Sequence, residues 1–173
     1  MLALLLFAVA FPTSSAQPAA PGDAVFAPLW LYNGTWQVTK SGGPPKPDVL
    51  ENKCALVGRY FTCEQTVNGA LTELLVFIPA KTSGSYYTQS IMPDGRAGGR
   101  GDLKIEGDHW TYSSYWNQGG KTTFYKTLNT FAGKTRIHFE QQESTDNTDN
   151  KQWKTTGSGD EVRTSAGRMT MVH

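Results

Sequence analysis

Turn signals recur about every ten residues along most of this 173-residue chain. Gly58-Arg59, Asn68-Gly69 and Gly107-Asp108 separate short runs that are rich in Tyr, Trp, Phe, Thr, Val and Ile. This spacing is typical of antiparallel strands joined by short turns, and no amphipathic helix of ordinary length interrupts it. The pattern predicts ten strands, at about 34–40, 48–57, 60–67, 70–79, 85–92, 102–106, 109–116, 122–131, 135–144 and 151–163, after a short helical turn near Phe26 to Leu31.

Ten sequential strands must bury one face without leaving long unpaired edges. Closing a single up-and-down antiparallel β-barrel meets both needs, because each strand then has two neighbours. A two-sheet sandwich is the main alternative. The length fits one domain with a sizeable core, so we predict an all-β fold of this kind.

The N-terminal residues have the pattern of a secretory signal peptide. Residues 1–11 are almost wholly apolar but too few to span a bilayer, and small residues follow at Ser14 and Ala16. We therefore predict a signal peptide at 1–16, an N-terminal lead at 17–29 and the barrel domain at 30–173. The mature protein is expected to be periplasmic or secreted, without integral membrane association.

The two cysteines are predicted to form a disulfide. If Gly58-Arg59 is a two-residue hairpin turn with a positive φ at Gly58, Cys54 falls directly opposite Cys63. Cα atoms of such a pair lie about 4.5 Å apart, within the range that a disulfide allows. An even cysteine count in an exported chain favours a structural bridge over a metal or redox pair.

The balance of charged residues argues against nucleic acid as a partner. Lys and Arg number 16 against 15 Asp and Glu, and the net charge of +1 gives no basic field for nucleic acid. Plentiful aromatic residues also argue against intrinsic disorder.

Strand register predicts an inner face that mixes aromatic and uncharged polar side chains. The Asn68-Gly69 turn extends the face of Cys63 to Leu74, Val76 and Ile78 in this register, which leaves Leu75 and Phe77 outside. Polar groups are scarce in a filled core but are tolerated in a cavity, so a ligand site is predicted. Its residues are Trp36, Phe61, Gln65, Leu74, Tyr87, Gln89, Trp110, Tyr112, Tyr125, Asn129 and Phe139. The alternative for the aromatic residues is a solid core and barrel floor.

Gly34-Thr35-Trp36, at the start of the first strand, resembles the G-x-W signature of lipocalins and related calycin barrels. Segments 51–54, 60–65 and 110–112 are also similar to uncharacterised lipocalin-like proteins exported by bacteria. The resemblance implies a Trp that closes the barrel floor and an Arg, here Arg163, stacked on it. The count of ten strands is closer to the fatty-acid-binding or nitrobindin-like branch of these barrels.

Motifs for catalysis, metal binding or a cofactor are not found in the sequence. The nitrobindin-like resemblance would require a haem-ligating His in the cavity, but His138 alternates with Ile137 and Phe139 and is expected to face outward. We therefore predict no catalytic residue, no metal and no cofactor.

Three functions remain open from the sequence. The first is non-catalytic binding of a small apolar or aromatic ligand in the barrel cavity. The second is an isomerase or hydrolase in the same cavity, which would need an inward titratable pair and could use Glu64, Arg136 or His138. The third is an interaction module with a filled barrel, in which an outward Leu75 and Phe77 contact another protein.

Overall fold

The computed structural model of the protein describes residues 24–172. In this part of the chain, a 3₁₀ helix (Ala24–Leu31) is followed by strands β1 (Gly34–Lys40), β2 (Asp48–Val57), β3 (Tyr60–Val67), β4 (Ala70–Pro79), β5 (Ser85–Ile91), β6 (Ala97–Glu106), β7 (His109–Gln118), β8 (Lys121–Ala132), β9 (Arg136–Ser144), β10 (Lys154–Ala166) and β11 (Thr170–Val172). Over the same residues, no helix has the length and apolar character needed to cross a membrane. The predicted signal peptide at 1–16, and residues 17–23 of the predicted lead, lie outside the described residues.

Strands β1 to β10 form a closed antiparallel barrel. Each strand pairs with the next along the chain, and β1 pairs with both β2 and β10, so the sheet has no open seam. The short β11 adds in parallel to residues 55–57 of β2, beyond the residues of β2 that pair with β1. The predicted closed barrel is therefore confirmed, and the first four strands have the predicted bounds.

The 3₁₀ helix closes one end of the barrel. Phe26 and Leu29 are buried among barrel side chains, and the Tyr86 hydroxyl donates a 2.6 Å hydrogen bond to the Val25 carbonyl. Aromatic residues dominate this contact: the rings of Phe26 and Phe61 stack with centroids 5.7 Å apart. Phe26 and Leu29, which fall within the predicted N-terminal lead at 17–29, are thus part of the barrel core.

Trp36 forms the floor beneath this helix. Its side chain is fully buried, and its Nε1–H donates a 3.0 Å hydrogen bond to the Tyr32 carbonyl. The Arg163 guanidinium lies 5.0 Å from the indole centroid and donates to the carbonyls of Leu31 and Asn33. The predicted Arg–Trp stack is present, and it fastens the end of the helix to β1 and β10.

The predicted disulfide hairpin is confirmed. Cys54 and Cys63 are directly paired across β2 and β3, with an S–S distance of 2.06 Å and Cα atoms 4.0 Å apart. Gly58 has the positive φ, 59°, that the two-residue turn requires. The Asn33 side-chain oxygen also accepts a 3.0 Å hydrogen bond from the Cys54 amide, which ties this hairpin to the start of β1.

A β-bulge in β4 overturns the predicted register of that strand. Thr72 is the extra residue, since Gln65 pairs with Glu73 while Thr66 pairs with Leu71. The Thr72 hydroxyl donates a 2.9 Å hydrogen bond to the Gln65 carbonyl and so satisfies a group that the bulge disturbs.

The bulge exchanges the two faces of β4. Leu75 and Phe77 lie opposite Cys63 and Phe61 and therefore face the barrel interior. The prediction that Leu74, Val76 and Ile78 face inward was wrong by one residue, because a turn-based count cannot register an inserted residue.

The same shift passes to β5. Phe77 pairs with Thr88, so Tyr86, Thr88 and Ser90 face inward. Tyr87 and Gln89, which were expected inside, lie on the outer face of the barrel. This error has the same cause, because the inward and outward positions of each strand were counted from the strand before it.

Two later hairpins differ from the predicted pairing by an even number of residues. Gln118 pairs with Lys121, so the loop holds two residues in place of four, and Tyr112 faces Thr127 in place of Tyr125. Asn129 pairs with Phe139 in place of Ile137. An even shift preserves the facing of every side chain, and the inner face of β7 to β9 is as predicted.

Candidate ligand-binding cavity

The barrel holds an internal cavity of about 410 Å³ above the Trp36 floor. Its mouth is marked by Lys40 and Asp48, at the ends of β1 and β2, which form a 3.0 Å ion pair. A pocket of about 180 Å³ adjoins it and shares Glu73, Leu75, Tyr112 and Thr127 with it. The cavity is lined by Tyr32, Val38, Lys40, Asp48, Leu50, Gln65, Val67, Glu73, Leu75, Tyr112, Thr127, Asn129, Phe139, Gln141 and Glu161.

The predicted site residues fall into three groups. Four line the cavity, namely Gln65, Tyr112, Asn129 and Phe139, and Tyr125 lines the adjoining pocket. Three more, Trp36, Phe61 and Trp110, are buried in the core at the closed end. The last three, Leu74, Tyr87 and Gln89, lie on the outer face, as the register of β4 and β5 requires.

Glycines on β10 help to leave this space. The inward positions of the strand next to β9 are Gly157 and Gly159, which pair with Gln141 and Phe139. A Cβ atom on Gly159 would lie 2.8 Å from the Phe139 ring, so the ring occupies the place of a side chain. Phe139 in turn lines the cavity.

Tyr32 and Asn129 form a polar pair at the inner end of the cavity. The Asn129 amide donates a 2.5 Å hydrogen bond to the Tyr32 hydroxyl. The other amide atom of this buried residue, Oδ1, has no hydrogen-bond partner in the part of the chain that the structure describes. Burial raises the pKa of Tyr32 well above its ordinary value, and the carboxylate charge of Glu161 raises it further, so the phenol stays neutral.

Glu161 brings a carboxyl group into the same cavity. It lies on β10, opposite Val38 of β1 and Ile137 of β9. Its Oε2 atom is buried and unpaired among residues 24–172. Desolvation raises the pKa of Glu161 to about 7, because burial penalises the charged form.

Glu73 is a second inward carboxyl group, carried to the interior by the β4 bulge. Burial raises its pKa, and a hydrogen bond with Ser90 partly offsets this effect. The charges of both Glu73 and Glu161 raise the pKa of Tyr112, whose burial is the larger cause. The charges of the two carboxyl groups therefore influence the same cavity.

Sequence reasoning missed Glu161 because β10 has no apolar alternation to reveal its facing. The inward positions are two glycines followed by Glu161 and Arg163. One signal was present: if Arg163 stacks on Trp36, the residue two positions before it must share the inner face.

The cationic side chains nearest the cavity have other partners. Lys40 pairs with Asp48 at the mouth, and Arg163 is bonded to backbone carbonyls at the closed end. Within the described residues, the salt bridges include none to Glu161 or Glu73. The interior therefore carries uncompensated acidic groups.

The side chains that the sequence offered for catalysis do not reach the cavity. Glu64, Arg136 and His138 are all exposed and alternate with inward residues. His138 forms a 2.9 Å contact with Asp160 on the outer face, as its predicted outward facing requires. Among the described residues, no group of three His, Cys, Asp or Glu side chains is placed to hold a metal ion.

A larger groove, of about 810 Å³, lies across β4 to β8 and the loop before β10, and its lining includes the inward residues Thr88, Ser114 and Tyr125. It is lined in part by Tyr87, Tyr115 and Trp153. Tyr87 and Tyr115 are mostly exposed, so water already solvates this surface. We assign the candidate site to the interior because the cavity holds two buried polar atoms, on Asn129 and Glu161, that lack a hydrogen-bond partner within residues 24–172.

The buried carboxyl group predicts a pH-dependent stability. Because the pKa of Glu161 is raised to about 7 in the folded state, that state holds its proton more tightly than the unfolded chain. Stability from this group is present below the ordinary Glu pKa and is lost as the pH rises through 7. We expect the free energy of unfolding to fall by about 2 kcal/mol between pH 5.5 and pH 8, and Glu161→Gln to remove this change.

Urea unfolding of both proteins at the two pH values measures this difference. Subtracting the variant from the parent cancels the contribution of the other titrating groups. Equal pH profiles for parent and variant would show that Glu161 is solvated in the folded protein.

No protein-family model matches the chain, and no curated protein matches it significantly. Fold and cavity nevertheless define a structural class, a closed ten-stranded antiparallel barrel with a helix at one end. The polar interior distinguishes this barrel from one with a solid apolar core.

Proposed function

We propose that this protein is an exported, lipocalin-like, non-catalytic binding protein that holds a small, mostly apolar ligand inside its barrel. The observation that carries this proposal is the cavity of about 410 Å³ above an intact floor. This volume lies within the range of about 300–1,000 Å³ that is common for small-molecule sites. A ligand entering it would lose most of its surface to contact with protein.

The lining supports a ligand that is apolar over most of its length. Leu50, Leu75, Val67 and Phe139 supply apolar wall, and the Tyr112 ring adds an aromatic face. Each buried CH₂ group of a ligand contributes about 0.8 kcal/mol of transfer free energy. Gln65 can orient the ligand, since its amide is already positioned by a 3.0 Å hydrogen bond to Asn52.

Export and family are part of the same proposal. The Cys54–Cys63 disulfide fits an oxidising compartment. The Trp36–Arg163 stack at the closed end supports the lipocalin-like resemblance that the G-x-W motif carries.

An enzyme acting in the same cavity is the second candidate. It is favoured by Glu161, whose pKa of about 7 suits proton transfer at neutral pH. Chromatography of ligand recovered after incubation separates the two functions, because a binding protein returns the ligand unchanged. The third possibility, an interaction surface built on Leu75 and Phe77, loses its basis because both residues face inward.

Filling the cavity tests the proposal. We expect Thr127→Trp to place an indole in the space between Tyr112 and Gln141, since Thr127 pairs with both residues on the inner face. Native mass spectrometry of the parent protein from its host should show a bound species that this variant lacks. Thermal-shift screening against lipid and aromatic libraries should give stabilisation with the parent alone.

Thr111→Trp is the matched control, because Thr111 alternates with Trp110 and Tyr112 and faces outward on the neighbouring strand. It should retain both the bound species and the thermal shift. Far-UV circular dichroism establishes that both variants keep the barrel. An absence of any bound species and of any thermal shift in the parent would rule out the binding function.

A further inference from the structure

We infer that the cavity recognises a primary amine attached to an apolar body, with the ammonium group held by Glu161 and Asn129. This inference rests on the proposed binding function and names its ligand class. Both residues line the cavity, and each presents a buried oxygen that lacks a hydrogen-bond partner within residues 24–172.

Two unpaired acceptors in the lining of one cavity favour a ligand that donates hydrogen bonds. Leaving a buried acceptor unsatisfied is unfavourable, so native proteins rarely retain one without a use. Asn129 is 4% exposed, and its amide nitrogen is already committed to Tyr32. With the amide nitrogen donating to Tyr32, Oδ1 is left as an acceptor without a partner among residues 24–172.

The charge balance selects an ammonium over a neutral donor. Glu161 and Glu73 both line the cavity, while Lys40 and Arg163 are engaged at its mouth and floor. An ammonium supplies three donors and one positive charge, so it satisfies the carboxylate and the amide oxygen together. A carboxylate ligand would meet two acidic groups, and Lys40, the one cationic side chain of residues 24–172 that lines the cavity, is paired with Asp48.

The remaining wall fits the rest of such a ligand. Phe139 pairs with Asn129 across the strands, so its ring lies beside the acceptor pair. Leu50 and Leu75 line the same cavity. An alkyl or aryl chain extending from the amine would therefore contact apolar side chains over its length.

Isothermal titration calorimetry with matched probes tests the inference. The probes are phenethylamine, phenethyl alcohol and phenylacetate, together with hexylamine, hexanol and hexanoate, titrated at pH 8 into the full-length exported protein. In each series we expect the amine to bind at least about tenfold more tightly than the alcohol and the carboxylate. Glu161→Gln should abolish this preference, because the amide carries no charge.

Glu64→Gln is the matched control, since Glu64 is an exposed carboxylate on the outside of β3. It should leave the amine preference unchanged. Glu73→Gln tests the contribution of the second inward carboxyl group on its own. We expect this variant to weaken amine binding less than Glu161→Gln does. A larger loss with Glu73→Gln would overturn the assignment to Glu161.

The pH dependence gives a second readout. The ionisable groups around Glu161 are Tyr32 and Tyr112, which stay neutral, Glu73, the Lys40–Asp48 pair at the mouth, and Arg163 on its own strand. Because the ion pair needs the carboxylate, amine affinity should fall about tenfold from pH 8 to pH 6 in the parent. In Glu161→Gln the affinity should be nearly constant, and with Glu73→Gln the fall should persist.

Failure of this inference is distinguishable from failure of the proposed function. If alcohols or carboxylates bind as tightly as amines, the cavity binds ligands but the amine inference is wrong. If none of the six probes binds, the amine inference is also wrong, and the thermal-shift libraries then decide on binding itself.

Discussion

Trp36→Ala should be among the most destabilising single substitutions in this protein, lowering the free energy of unfolding by about 3–5 kcal/mol. The indole is completely buried, so its removal leaves a large void at the barrel floor. It also removes the hydrogen bond to the Tyr32 carbonyl and the face on which Arg163 stacks. Because domains of this size are stable by about 5–15 kcal/mol, urea unfolding should show a much lower midpoint.

Trp116→Ala is the control for this prediction. The same side chain at Trp116, near the end of β7, is 59% exposed, so its removal should change stability by less than about 0.5 kcal/mol. Trp36→Phe provides a variant that keeps most of the ring and is expected to fold with an intermediate loss. Comparable effects at the two tryptophans would contradict the assignment of Trp36 as the floor.

Removing the Cys54–Cys63 disulfide is the second change with a large expected effect. The bridge closes a loop with a sequence separation of nine residues. Without the bridge, the added entropy of the unfolded chain alone should lower the free energy of unfolding by about 2–3 kcal/mol. Both cysteines are also buried, so Cys54→Ala with Cys63→Ala removes some packing as well.

Thermal unfolding with and without reductant measures this contribution. The melting temperature (Tm) of the parent should fall on reduction, and that of the double variant should be insensitive to reductant. Thr62→Ala is the control, because Thr62 pairs with Ala55 next to the disulfide. Its Tm should fall on reduction as that of the parent does. A parent protein with the same Tm in both conditions would show that the bridge contributes nothing.

The hairpins were predictable because their determinants are local. A glycine with positive φ at Gly58 and the Asn68-Gly69 pair set two turns, and the chain between them has a fixed alternation of faces. Cys54 and Cys63 consequently fell into register from their distance to one turn. The outward facing of His138 followed in the same way.

The candidate site was predicted less completely, and the cause lies in two features. The extra Thr72 in β4 reversed the facing of that strand and the next, which moved Leu74, Tyr87 and Gln89 outside. Its only signature is a threonine among other strand residues, so no local rule distinguishes it. Glu161 was missed because a charged residue is expected at the surface unless a partner is visible.

The alternation of strands and turns, the Gly58-Arg59 hairpin and the disulfide could be read from the sequence, because alternation and turn chemistry act over a few neighbouring residues. The identity of the inward carboxyl groups depends instead on how distant strands pair. Glu73 is turned inward by a bulge, and the pairing of β10 with β1 and β9 places Glu161 in the cavity that Tyr32 and Asn129 also line. Desolvation depends on the elements that close around a group, and these come from distant parts of the chain.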